Sequence, residues 1–190
     1  MFENIHDVTT ENVRQGRVFW VTGLSGAGKT TLSRALTNYL RDFGRPVILL
    51  DGDELREVMG ASDSYTREDR LMLARRYARF CQLLAKQRFD VVIATISLFR
   101  EIHSWNRENI PEYIEIFLNV PLYELARRDP KAIYQRVSKN EIQNVAGLDF
   151  IIDYPEIPDV VIEWDPNLTV EKALKQIIEY LKWRRNRYGN

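Results

Sequence analysis

The sequence holds one cysteine, Cys81, and only two histidines, His6 and His103, among 190 residues. A single cysteine excludes an intramolecular disulfide and a cysteine-built zinc site, and it agrees with a reducing, cytoplasmic setting. An excess of charge of either sign is also missing. The 27 lysines and arginines balance 27 aspartates and glutamates, so no overall field would hold the chain on nucleic acid or on an anionic membrane, and an anion must be bound locally. No apolar run approaches the roughly 18 residues of a membrane span, and the polar opening MFENIHDVTTENVRQG lacks the basic-then-apolar pattern of a secretory signal. Repeats, low-complexity tracts and Pro/Gly/Ser-rich linkers are absent as well. The expectation is one soluble domain over residues 1–190, with 1–16 as an N-terminal extension and a hydrophobic fraction of 45% to build its core.

What is present is a series of short β-rich apolar runs: RVFWVT (17–22), PVILLD (46–51), DVVIATIS (90–97), YIEIFLNV (113–120) and VVIEW (160–164). Continuous rather than alternating apolar residues suit strands covered on both faces, as in a parallel sheet. Helical spacing occupies the intervals at 29–42, about 67–88 and about 169–186. Gly44 is placed to end the first of these helices, and the basic tail WRRNRYGN reads as a solvated last turn. Strands alternating with helices predict a doubly wound α/β sandwich on a five-stranded parallel sheet, whose ligands gather at the carboxyl ends of the strands.

Directly after the first run stands GLSGAGKT, Gly23 to Thr30. It fits the phosphate-binding pattern G-x-x-x-x-G-K-[ST] in the required strand, loop, helix context of a P-loop NTPase. Glycines let successive N–H groups turn inward toward phosphate oxygens, and the following helix adds its positive end. Gly23, Ser25, Gly26, Ala27, Gly28, Lys29, Thr30 and Thr31 are therefore the expected ATP contacts. Lys29 would reach the β- and γ-phosphates, and the Thr30 hydroxyl would hold Mg²⁺.

The second run ends in Asp51-Gly-Asp53. Phosphoryl transfer needs metal placement, charge neutralisation and a group that orients or deprotonates the attacking hydroxyl. Asp53 is the candidate for that last task, with Asp51 beside Mg²⁺; Asp53 is also suited to cap a helix starting at Glu54. Farther on, LARRDPKAIYQR carries Arg127, Arg128, Lys131 and Arg136 around Pro130, the pattern of a basic lid over about 125–150. His103 and Trp105 read as packing residues on a surface helix, and Trp20 as core.

With these residues in hand, the chain resembles the adenylyl-sulfate kinase family, which uses ATP to phosphorylate the ribose 3′-hydroxyl of adenylyl sulfate. The resemblance rests on QGRVFWVTGLSGAGKTT, LDGDELR, EDR followed by ARR, ISLFR and RDPKAIY, in the family's order and spacing. It implies a P-loop kinase fold, ATP and Mg²⁺ as cofactors, and a small nucleotide as acceptor, and it admits a homodimer. By position it implies that Asp53 and Arg56 contact the acceptor, Arg70 its anionic head, Tyr65 its base, Ile96 and Ser97 the pocket wall, and Lys131 the acceptor from the lid. The position of Ser97 is phosphorylated in some relatives, but here the serine reads rather as the N-cap of the next helix.

Departures from the family gather on the acceptor side. Gly-Phe-Ser becomes Ser64-Tyr65-Thr66, an asparagine becomes Leu73, the proline after Ser97 becomes Leu98, and the lid's Gly-Phe-Thr-Gly becomes Asn144-Val145-Ala146-Gly147. Leu73 and Val145 would then line a remade pocket that lacks a second aromatic face. Such changes alter acceptor choice rather than the ATP cradle. The ATISLFREIH…NRENI segment looks like a branch that phosphorylates cytidine diphosphoramidate, a smaller pyrimidine acceptor. Both acceptors stay open at this point. A nucleotide-binding module without turnover is the reading from another class, and the complete set Lys29, Thr30, Asp51 and Asp53 argues against it. A GTPase is disfavoured because N-K-x-D is absent.

Overall fold

A computed structural model describes residues 15–60 and 66–188. The chain runs β1 (Val18–Thr22), α1 (Lys29–Asp42), β2 (Val47–Asp51), α2 (Gly52–Val58), α3 (Arg67–Lys86), β3 (Asp90–Thr95) and α4 (Arg100–Asn109), followed by β4 (Tyr113–Asn119), α5 (Leu122–Arg128), α6 (Ile133–Ser138), β5 (Val160–Glu163) and α7 (Val170–Tyr188). The five strands form one sheet in the order β2-β3-β1-β4-β5. Every pairing is parallel, with Trp20 opposite Ile93 on one side and Glu115 on the other.

All five positions of β1 and all six of β3 are buried, which is why both read as unbroken apolar runs. Phe19 and Trp20 are fully enclosed, each contributing about 1.5–3 kcal/mol on ordinary transfer scales. Helices α1 and α7 pack together, and so do α3 and α4. Right-handed crossovers put these two pairs on opposite faces of the sheet. Helix α1 buries Leu32, Leu36 and Leu40, one stripe at i, i+4, i+8. Gly44 closes it as the sequence predicts: its φ is 70°, and its N–H donates to the Arg41 carbonyl at 2.8 Å.

The amino-terminal edge of the sheet is tied by one buried acid. The Asp90 carboxylate accepts from Arg17 N at 3.0 Å, Arg17 Nε at 3.2 Å, Arg45 Nε at 2.9 Å and an Arg45 terminal nitrogen at 2.8 Å. Burial alone would raise its pKa, but the hydrogen bonds from Arg45 and Arg17 outweigh burial and hold it down at about 2. The beginnings of three neighbouring strands are thereby fixed, and the opposite ends of β1, β2 and β3 are left to build the site.

The described tail of the C-terminal helix is mostly exposed, as the sequence predicts, with one exception. It continues to Tyr188, and Arg184 is not solvated: it donates to the Tyr113 carbonyl at 3.2 Å and pairs with Glu112 at 3.2 Å. Among the described residues no helix is long and apolar enough to cross a membrane.

Candidate active site

The connection leaving β1 crosses to β2 and the one leaving β3 crosses to β4, so the crevice between β1 and β3 is the topological switch point. Thr22 Oγ1 spans it to the Ile96 carbonyl at 2.5 Å. A cleft of about 810 Å³ opens there, lined by the glycine-rich loop, the β2–α2 turn, the start of α3, residues 94–99 and the lid segments.

The loop fits a phosphate group. A Cβ on Gly23 would lie 2.8 Å from the Leu118 carbonyl, so only glycine lets the loop pass so close to β4. Gly28, at φ 98°, is the N-cap of α1 without a side-chain cap, which leaves the helix's first N–H groups to the loop's interior. Ser25, Gly26, Gly28, Lys29, Thr30 and Thr31 line the cleft, while Gly23 and Ala27 are buried behind it and shape the loop without lining the cleft. Lys29 Nζ donates to the Leu24 carbonyl at 2.8 Å. Burial pushes its ammonium down to about 8, against the pull of Asp53 and Asp51 and with the help of Lys131. Thr30 Oγ1 donates to Asp51 Oδ2 at 2.7 Å, so a hydroxyl and a carboxylate oxygen stand together at the loop's end. Oxygen donors of this kind suit Mg²⁺.

In the β2–α2 turn the cap is Asp51, not Asp53. The helix begins at Gly52, and Asp51 Oδ1 accepts from Asp53 N at 2.9 Å. A carboxylate at the strand's end reaches the first helical N–H groups, whereas Asp53 already lies inside the first turn. The Asp53 side chain is thus released from capping; it is exposed and forms an ion pair with Lys131 of the lid. Tyr77 of α3 supports the turn: its hydroxyl donates to the Gly52 carbonyl at 2.9 Å.

Lid helices α5 and α6 are separated at Pro130, and Asp129 caps the second by accepting from Tyr134 N at 3.2 Å and Gln135 N at 3.0 Å. Buried Glu124 anchors both arginines of this segment, Arg127 at 2.7 and 2.8 Å and Arg128 at 2.7 Å. Of the four lid cations named from the sequence, Arg128, Lys131 and Arg136 line the main cleft. Arg127 departs from the expected set: it borders a second cleft of about 420 Å³ with Trp164 and Leu168, and Arg128 lines both clefts. Tyr134 OH donates to the Ser25 carbonyl at 3.0 Å, joining the lid to the loop.

Arg56, Arg70, Leu73, Ile96, Ser97 and Val145 also line the main cleft. Tyr65 lies outside the described residues. Leu73 and Val145 are buried and apolar. Ser97 does not cap α4: that helix starts at Arg100, and Ser97 Oγ bonds Thr95 Oγ1 at 2.7 Å. The turn between them is too long for the serine to reach the helix's first N–H groups. His103 is a packing residue, as the sequence predicts: it is buried, with Nε2 3.1 Å from the Ser97 carbonyl. The expected loss of an aromatic face is corrected by Phe150, which lines the pocket beside Val145, lies edge-on to Phe99 at 6.2 Å and carries the Arg70 guanidinium 5.5 Å from its ring centre. Its position after a loop of no regular structure left no periodicity from which to find it.

A sequence-family profile described as adenylylsulphate kinase matches residues 15–163. The chain is 39% identical over 164 residues to a cytidine diphosphoramidate kinase of Campylobacter jejuni, covering 86% of this chain and 95% of that protein. It is equally 39% identical over 170 residues to an adenylyl-sulfate kinase of Pseudomonas aeruginosa, covering 87% and 85%. Among solved structures, an APS kinase of Mycobacterium tuberculosis in complex with AMPPNP and APS superposes with a TM-score of 0.81 at 29% identity, covering 88% of this chain and 98% of that one.

Proposed function

Since the chain belongs to the adenylylsulphate kinase family, we propose that it transfers the γ-phosphoryl group of ATP to the ribose 3′-hydroxyl of a small nucleotide. The observation that carries this reading is the continuity of the main cleft. Lys29, Thr30, Asp51 and Asp53 line one cleft together with Arg56, Arg70 and Leu73.

On this reading the loop's N–H groups and Lys29 hold the donor phosphates, and its base leaves past Arg128 into the second cleft beside Trp164. Thr30 and Asp51 would hold Mg²⁺, which supplies neutralisation of phosphate charge. Asp53 orients the acceptor hydroxyl and takes its proton once Lys131 turns from the carboxylate toward incoming phosphate. Arg128 at the end of α5, Lys131 in the connection after it and Arg136 on α6 close over the phosphates and exclude water. Little covalent help is needed beyond this placement.

For the acceptor we favour cytidine diphosphoramidate. Leu73 and Val145 present branched apolar surface where the family pattern has a polar side chain and an aromatic ring, and a pyrimidine needs less stacking surface than a purine. A second reading, adenylyl sulfate, is favoured by Phe150, which returns an aromatic ring to the lid side of the pocket. Side-by-side measurement of kcat/KM for the two nucleotides tests the choice. A preference of tenfold or more for cytidine diphosphoramidate is expected; a preference of that size for adenylyl sulfate selects the second reading instead.

A further inference from the structure

The acceptor end of the cleft is assembled from three segments distant in sequence. Arg70 and Leu73 come from the start of α3, Ile96 to Phe99 from the turn after β3, and Val145, Phe150 and Ile152 from the loop after α6. None of these segments is a strand, and their mutual placement does not follow from the sheet. Asp153, at the end of the third segment, is hydrogen-bonded or ion-paired to the other two. Asp153 N donates to the Leu98 carbonyl at 3.0 Å, Asp153 Oδ2 accepts from Arg100 N at 3.2 Å, and the same oxygen pairs with Arg67 of α3 at 3.4 Å.

The bond to Arg100 N completes a helix that its own sequence leaves open. Helix α4 has Phe99 at the N-cap and no local side-chain cap, so the carboxylate that satisfies its first turn arrives from 53 residues downstream. A negative charge there also meets the positive end of the helix. The turn that Asp153 grips is itself strained, with Ser97 at φ 26°, a conformation that persists only where surrounding contacts impose it. Arg67 completes the junction by lying over the Phe99 ring at 5.3 Å while reaching the carboxylate.

We infer that Asp153 is a positioning residue for the acceptor pocket: by capping α4 from the lid loop and pairing with α3, it sets the three walls against one another. It touches none of the phosphate loop, so it governs acceptor binding and leaves ATP binding alone. This rests on the kinase reading for its choice of substrate, but the junction itself is a feature of the fold.

The test compares wild type with Asp153→Ala and Asp153→Asn, using whichever of the two nucleotides the wild type phosphorylates faster. Asparagine keeps an oxygen for Arg100 N and loses the charge toward Arg67; alanine loses both. Asp153→Ala should raise the acceptor KM about tenfold, the equivalent of one charge-assisted hydrogen bond, with the ATP KM within about twofold of wild type. Asp153→Asn should recover most of that loss. In amide hydrogen exchange, residues 67–73, 96–102 and 145–153 should all exchange faster in Asp153→Ala, while 18–31 stay unchanged. Equal rises in both KM values, no rise in either, exchange altered only at 150–156, or failure of Asp153→Ala to fold would each overturn the inference. A wild type that phosphorylates neither nucleotide would defeat the kinase reading instead, and the exchange pattern would still decide the junction.

Discussion

Raising the pH above 8 should loosen ATP from this protein, and Lys29 is the reason. Burial holds its ammonium at about 8, against an ordinary value of 10.5. Bound phosphates would return the pKa toward that ordinary value by adding negative charge within reach. A group whose pKa rises on binding contributes fully below its free-state pKa and is lost progressively as pH climbs from there toward the bound-state value. With about 8 free and a higher value bound, affinity is flat well below pH 8 and falls by up to about tenfold per pH unit above it until the bound lysine titrates. Nearby tyrosines do not mask this, because burial pushes both Tyr77 and Tyr134 up to about 12. Titration calorimetry with a non-hydrolysable ATP analogue and Mg²⁺ should show net proton uptake at pH 9. Lys29→Arg, which stays charged throughout, should bind with flat affinity over the same range. Wild-type affinity that is constant from pH 7 to 9.5, with no proton uptake, would refute the account of Lys29.

Three other substitutions separate the parts of the site. Lys29→Ala should reduce phosphoryl transfer by at least about 10²-fold, as loss of a transition-state donor does, with an unchanged circular dichroism spectrum. Asp90→Asn should destabilise the fold at neutral pH by about 2 kcal/mol, from a pKa of about 2 against 3.8, and lower Tm by about 4–8 °C with no change in either KM. Its sign follows from the depressed pKa: the contribution is complete above pH 3.8 and is lost as pH falls through about 2, so the wild-type advantage should vanish in strong acid. Leu73→Asn should shift kcat/KM toward adenylyl sulfate while costing about 1–3 kcal/mol of stability for a polar group placed in an apolar wall, a trade measurable by paired kinetics and melting.

The sheet and its order of elements were legible because the central strands are enclosed on both faces and are therefore largely apolar along their length. The phosphate loop was legible because a backbone cradle needs glycines at fixed spacing, whatever fold surrounds it. What the sequence hid depends on partners distant along the chain. Asp51 and Asp53 both suit a cap, and only the point where β2 ends decides that Asp51 serves and Asp53 is released to meet Lys131. Ser97 has the chemistry of a cap but sits three residues before α4, whose cap arrives from Asp153. Arg127 and Arg128 are indistinguishable as neighbours in sequence; helix geometry sends only Arg128 to the main cleft. Phe150, in an irregular loop, could be placed only by tertiary packing.

The most direct test of the central claim is transfer of label from γ-³²P-ATP, with Mg²⁺, to cytidine diphosphoramidate or adenylyl sulfate, followed by identification of the labelled position. The account predicts label on the ribose 3′-oxygen of the nucleotide, absent when Lys29→Ala replaces the wild type. Label released only as inorganic phosphate, or transfer that survives Lys29→Ala, would contradict it.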